Sequence, residues 1–361
     1  MANTAKSIIG ISAILGSLMA AGPVGAQGGA TCGGLDATIV APAGSEFVSG
    51  TDGDDVIVAS YSQDIVVFVD ALGGNDTVCV VGAAPTTPEE LGSMWVFGGD
   101  GDDTLFGGDG DDLLLAGDSN VESNFVFGGR GNDFIIGSDG TDELNGNQGD
   151  DIIGGGFGDD VINGGQGNDL IGGEEGDDEL FGGPGNDAVY GGLGRDEIFG
   201  GAGHDALFSH HGLDGEIENN PFAGIGTNSV STELDTAGSR MFGGTGNDII
   251  IGSNRWDRMQ GGDGNDILMG LEGRDWMRGG AGRDIVIGGA GIDDVNGNLG
   301  NDDMLIQGED FGRGGFGTDT CHFGNGSDDT LLRSCETEQT LAPAWGDISR
   351  QFNDIWDYWD I

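Results

Sequence analysis

The sequence predicts an all-β solenoid, and three observations predict it. A nine-residue unit recurs eighteen times, over residues 98–115, 128–208 and 243–305. Its columns are strict: every copy has glycine at position one, aspartate at six and Leu, Ile, Val or Met at eight. Position four is glycine in all but one copy, where Arg255 stands. Position eight sits between two less constrained neighbours, as in a three-residue strand whose middle side chain points inward. One turn plus one such strand buries no core alone and must stack on copies of itself. Self-similarity at a fixed period therefore governs the reading of every other residue.

Typical copies read GGQGNDLIG from Gly164, GGPGNDAVY from Gly182 and GGDGNDILM from Gly261. Glycine costs extra conformational entropy, so a regular column of it must serve geometry. At positions one, two and four it suits a tight turn with positive φ that brings backbone carbonyls together. The aspartate at six adds a carboxylate to those carbonyls. An all-oxygen, partly anionic donor set suits a hard cation, and calcium accepts about six to eight such donors with loose geometry.

These units resemble the RTX-type nonapeptide G-G-x-G-x-D-x-U-x, over about half of the chain. The resemblance implies a parallel β-roll, a calcium-binding β-helix solenoid in which two nonapeptides make one coil. Several Ca2+ ions would lie between turns of successive coils, bound by Asp carboxylates and turn carbonyls. Carried over unit by unit, the ligands are Asp103 and Asp112 in the first block. In the second they are Asp133, Asp142, Asp151, Asp160, Asp169, Asp178, Asp187, Asp196 and Asp205. In the third they are Asp248, Asp266, Asp275, Asp284, Asp293 and Asp302. Unit 252–260 (GSNRWDRMQ) loses two glycines and gains two arginines, so its site is expected to be damaged. Ser138, Asn147, Glu174, Leu271 and Asn298 at position two are milder departures. Weaker copies at GTDGDDVIV (Gly50), LGGNDTV (Leu72) and GGFGTDTCH (Gly314) carry the expected roll towards both ends.

The chain has 63 acidic residues against 12 basic ones, a formal charge of −51. A folded body so acidic is strained by self-repulsion. Calcium relieves it, so the metal-free chain is expected to be largely disordered and to fold on calcium, because such binding free energy is folding free energy. Nucleic acid is excluded as a partner for want of a positive patch. Residues 1–26 read as a signal peptide. Lys6, the one lysine, is its positive end, Ile8 to Ala21 is mostly apolar, and Val24-Gly25-Ala26 suits cleavage before Gln27. An uncleaved anchor is the alternative. No other stretch reaches the length of a membrane helix, so no span is expected in the mature chain. The expected destination is extracellular, with attachment to a cell surface as an option. Four cysteines agree with it. Near pairing, Cys32 with Cys79 and Cys321 with Cys335, would staple each end of the solenoid; it is one of three connectivities the sequence allows.

Residues 27–97 form an N-terminal region with degenerate repeats. The roll proper is expected over 98–322, interrupted at 116–127 and 209–242. Phe125-Val126-Phe127 and Arg240-Met241-Phe242 look like strand halves, so each insertion is a loop that returns in phase. The His210–His211 pair lies in the second loop, where a transition-metal site is weighed against simple solvation. Position nine should face outward, and Phe181, Tyr190, Phe199 and Phe208 occupy it in four successive units. They suit a binding surface for a polysaccharide or protein partner, or packing beneath the 209–242 loop or the tail. Residues 323–361 form a C-terminal cap and tail. Trp345, Ile348, Phe352, Ile355 and Trp359 recur at three- and four-residue spacing, which predicts a short amphipathic helix. It would cap the roll or dock on a partner.

In RTX proteins the roll often accompanies a protease, lipase or toxin domain, and here the room for one is small. Neither H-E-x-x-H nor G-x-S-x-G occurs. Nearly all carboxylates are explained by the repeat, which leaves few for glycosidase chemistry. Position three carries no row of threonines, so ice binding is discounted as well. The sequence therefore points to a secreted calcium-binding repeat protein, not an enzyme, that folds on Ca2+. Its expected role is a structural or binding module at a cell surface or in the extracellular matrix. The alternative is an accessory or catalytic extracellular hydrolase stabilised by the roll.

Overall fold

A computed structural model describes residues 30–41, 45–60, 66–81, 94–117, 123–209, 238–306, 310–323, 335 and 337–340. The expected signal peptide, the His210–His211 pair and the C-terminal amphipathic helix lie outside the described residues. Within them the chain is all-β, with no helix.

Two parallel sheets run the length of the molecule, one of fourteen strands and one of fifteen, and from Ile39 to Phe323 their strands alternate between them along the chain. Each nonapeptide supplies one strand, and two make a coil. The register locks unit to unit: Ile153 lies beside Ile171, and Ile171 beside Val189. On the other sheet Leu144 lies beside Ile162, and Ile162 beside Leu180. Because strand side chains alternate in direction, position eight points between the sheets. The core is that column: Val126, Ile135, Leu144, Ile153, Ile162 and their successors to Val295 are fully buried. Complete burial of one such side chain contributes about 1.5–3 kcal/mol.

The roll begins well before the first strict unit. Ile39–Val40 opens the fourteen-stranded sheet and Phe47–Thr51 the fifteen-stranded one. Both insertions return in phase. Across the longer one Ile198 pairs with Met241 and Leu207 with Ile250, so coils continue as if nothing intervened. Disulfides Cys32–Cys79 and Cys321–Cys335 sit at the two ends, the near pairing the sequence suggested.

The outer faces of the two sheets differ. Positions seven and nine of the fifteen-stranded sheet are apolar over a long stretch: Ile249, Ile267 and Ile285 in one row, Ile251, Met269 and Ile287 in the next. The fourteen-stranded sheet instead shows Glu179, Glu197, Arg240 and Arg258 in one row. Its position-nine aromatics stack, with ring centroids 5.0 Å apart for Phe181–Phe199 and 5.1 Å for Phe199–Phe242. Tyr190 and Phe208 stack at 4.7 Å on the opposite sheet. The aromatics therefore form two ladders, one per sheet.

The turns account for the glycine columns. Gly167, at position four, has φ +141°, and a Cβ there would collide with the Gly149 carbonyl oxygen of the preceding coil. Gly167→Ala should therefore destabilise the roll by at least about 2 kcal/mol, because strain of φ and clash add. Position two is more forgiving. Asn147, Glu174, Leu271 and Asn298 all adopt φ between 74° and 81° there. A left-handed leucine costs about 1–2 kcal/mol, more than the entropy glycine forfeits. Leu271→Gly should thus leave the thermal midpoint unchanged or raise it, while Gly167→Ala lowers it. Thermal melts of both variants in the same buffer check the pair, and equal losses would refute this account of the turns.

Candidate metal centres

The position-six aspartates stand in two columns, one at the turns leading into each sheet. All those predicted as ligands are buried, Asp112 being 3% exposed and the others similar or less. Each uses one carboxylate oxygen to bind the neighbouring coil. The Asp151 backbone N–H donates to Asp169 Oδ1 at 2.9 Å, Asp169 N–H to Asp187 Oδ1 at 2.9 Å and Asp187 N–H to Asp205 Oδ1 at 2.9 Å. The same pattern crosses the long insertion, where Asp205 N–H donates to Asp248 Oδ1 at 2.9 Å.

The second oxygen is different. Oδ2 of Asp112, Asp133, Asp151, Asp160, Asp169, Asp178, Asp187, Asp205, Asp248, Asp266, Asp275, Asp284 and Asp302 is buried with no hydrogen-bond partner. A buried charged oxygen without a partner is costly, and so many in register call for a common counter-charge. The surroundings are oxygen as well. A Cβ built on Gly182 would lie 2.5 Å from Asp187 Oδ2 and 2.6 Å from the Gly200 carbonyl oxygen of the next coil. Position one is thus glycine because a side chain would fill the cradle that carboxylate and carbonyl share. No three His, Cys, Asp or Glu side chains gather in a metal-holding group among the described residues. A cation would therefore be held by carboxylates and main-chain carbonyls jointly. The donor chemistry fits Ca2+, which tolerates irregular all-oxygen sets, better than Mg2+, which demands a near-ideal octahedron.

Electrostatics agree. Burial pushes Asp160 and Asp275 up to about 9 and Asp133 to about 8, against an ordinary value of 3.8. The N–H donated from the preceding coil pulls each down, and neighbouring aspartates push it up again. Asp112, Asp169, Asp178, Asp205, Asp266 and Asp284 rise to about 7 for the same leading reason.

Some members of the columns were hidden from the sequence reading. Asp55, Asp76 and Asp319 belong to the weaker copies and join the ladder. Asp310 accepts from Asp293 N–H at 2.9 Å over a separation of 17 residues, so one missing residue breaks the period and conceals it. Asp257, in the unit read as damaged, donates its N–H to Asp275 Oδ1 at 2.7 Å. Asn124, Ser239 and Met94 occupy position six at re-entry points, and counting back from the following glycine would have found them. His204 belongs to an outer, exposed ladder, where its Nδ1 accepts from Asn247 N–H at 2.8 Å.

A family model described as RTX calcium-binding nonapeptide repeat (4 copies) matches residues 43–78, 95–121, 119–153, 136–171, 146–180, 172–207, 242–277 and 269–304. No curated protein matches the chain.

Proposed function

Because the chain belongs to the family of RTX calcium-binding nonapeptide repeat proteins, we propose that it is a secreted repeat protein whose roll is built by calcium. In this reading it serves as a structural or binding module at a cell surface or in an extracellular matrix. The observation that carries it is the register of buried, partnerless Oδ2 atoms along both turn columns. Asp112, Asp151, Asp169, Asp187, Asp205 and their counterparts would hold the ions together with turn carbonyls. Bound calcium supplies the positive charge that lets these carboxylates stay ionised inside the fold.

The two disulfides and the leader-like pattern of residues 1–26 support an oxidising destination. Extracellular calcium modules bind at about 10⁻⁴–10⁻³ M, so such a protein stays unloaded in a cytosol and loads outside. A binding role finds support in the apolar rows of the fifteen-stranded sheet and in the stacked aromatic ladders. A protein or a polysaccharide is the partner class they suit, since aromatic faces take both.

Native mass spectrometry of chelator-treated protein, titrated with calcium and separately with magnesium, tests the reading. Several calcium ions per chain are expected, with magnesium unable to replace them. Less than one calcium per chain would sink it.

A further inference from the structure

The two turn columns are unequal. The column leading into the fifteen-stranded sheet opens with Val67 and Met94, and from Asp112 to Asp319 every position-six residue is aspartate. The other column is interrupted, and in two ways. Asn124 and Ser239 stand where aspartate would. And three aspartates have their second oxygen already satisfied by the residue at position two of their own unit.

Those three turns share one chemistry. Ser138 donates to Asp142 Oδ2 twice, through its N–H at 2.6 Å and its hydroxyl at 3.0 Å. Ser253 does the same to Asp257 Oδ2, at 2.6 and 3.0 Å. Thr51 does so to Asp55 Oδ2, at 2.8 and 2.7 Å. None of the three adopts the positive φ that Asn147, Glu174, Leu271 and Asn298 adopt at the same position. The backbone has turned so that its N–H faces the carboxylate. At the first re-entry the amide of Asn124 completes the arrangement, its Nδ2 donating to Asp142 Oδ1 at 3.0 Å and to Ser138 Oγ at 3.1 Å. An amide N–H group there supplies what a cation supplies elsewhere.

Resting on the calcium reading above, we infer that the turns closed by Thr51, Ser138 and Ser253 are hydrogen-bonded joints that take no calcium, so that ions load the two columns unequally. Asp142 is then a structural acceptor and not a ligand, and so are Asp55 and Asp257. The placement has a logic. Asn124 and Ser239 follow the two insertions, and each is paired across the next coil with a serine-closed turn, Asp142 and Asp257. After both of these insertions the chain thus re-enters the roll through a joint whose closure needs no ion, whereas the re-entry at Met94 meets Asp112 in the other column. The calcium-dependent coils have a metal-independent template to stack on.

The test is an ion count by native mass spectrometry on the full chain in saturating calcium. Asp142→Asn should keep the wild-type count, whereas Asp169→Asn should lose at least one ion. The double variant Asn124→Asp/Ser138→Gly restores the ordinary turn composition and should gain one ion. It also serves if Asp142→Asn does not fold. Loss of ions in Asp142→Asn equal to that in Asp169→Asn, or no gain in the double variant, overturns the inference while leaving the calcium reading standing. A wild-type protein that binds no calcium overturns both.

Discussion

Stripped of calcium at pH 7.5, the protein should lose its β-sheet signal and expand. At that pH the metal-free fold faces two bad options. Its buried position-six carboxylates can ionise without a counter-charge, or they can hold protons that solvent would take. The thirteen carboxylates with partnerless Oδ2 atoms stand between about 6 and 9 in the fold, against an ordinary 3.8. Each unit of such a rise costs about 1.4 kcal/mol of folding free energy at a pH above both values. A domain holds a net stability of only about 5–15 kcal/mol. Even steeply discounted, the sum exceeds that net stability. The chain's overall charge of −51 acts in the same direction. Far-UV circular dichroism through a calcium titration of chelator-treated protein measures the outcome, and a cooperative coil-to-β transition is expected. A β spectrum indifferent to chelation would mean that the aspartate columns only make turns.

Acid should rescue the metal-free fold. The sign follows from proton linkage. These aspartates have raised values in the fold, so the folded state binds more protons than the unfolded one between 3.8 and about 6–9. Stability then falls as pH rises through that window and is fully present below it. In calcium-free buffer the β signal should be recovered near pH 5 and lost again by pH 8, where of these aspartates only Asp133, Asp160 and Asp275 would still hold protons in the fold. With calcium bound the carboxylates stay ionised, and the same excursion should leave the signal nearly flat. A metal-free protein as disordered at pH 5 as at pH 8 would show that proton uptake does not substitute for the ion.

The architecture was legible because the repeat makes each residue's surroundings a copy of the last. Glycine at one, aspartate at six and an aliphatic at eight each have a single geometric explanation, and those columns gave the roll, its core and its ligand candidates. The exceptions carried the rest. Asn147 and Ser138 look alike as departures from glycine at position two, yet Asn147 takes φ 80° and Ser138 does not. Only the structure shows that the serine turns its N–H onto Asp142. The unit of Asp257 loses two glycines and gains two arginines, yet its backbone still holds the ladder. Asp310 was lost to a one-residue deletion. Period-based reading sees the rule and is blind where a residue keeps its place by other means.

The ladder spans a gap of 43 residues as readily as one of 18. Each coil recognises only the coil before it and the coil after, so length is a free variable in this fold. Losing or duplicating eighteen residues would shift one end of the molecule by a strand spacing, about 4.8 Å, and leave every surviving neighbourhood as it was. Genetic slippage between near-identical units would then yield proteins that already fold. Descent can change the reach of such a molecule, or hang new loops from it, without ever having to solve its core again.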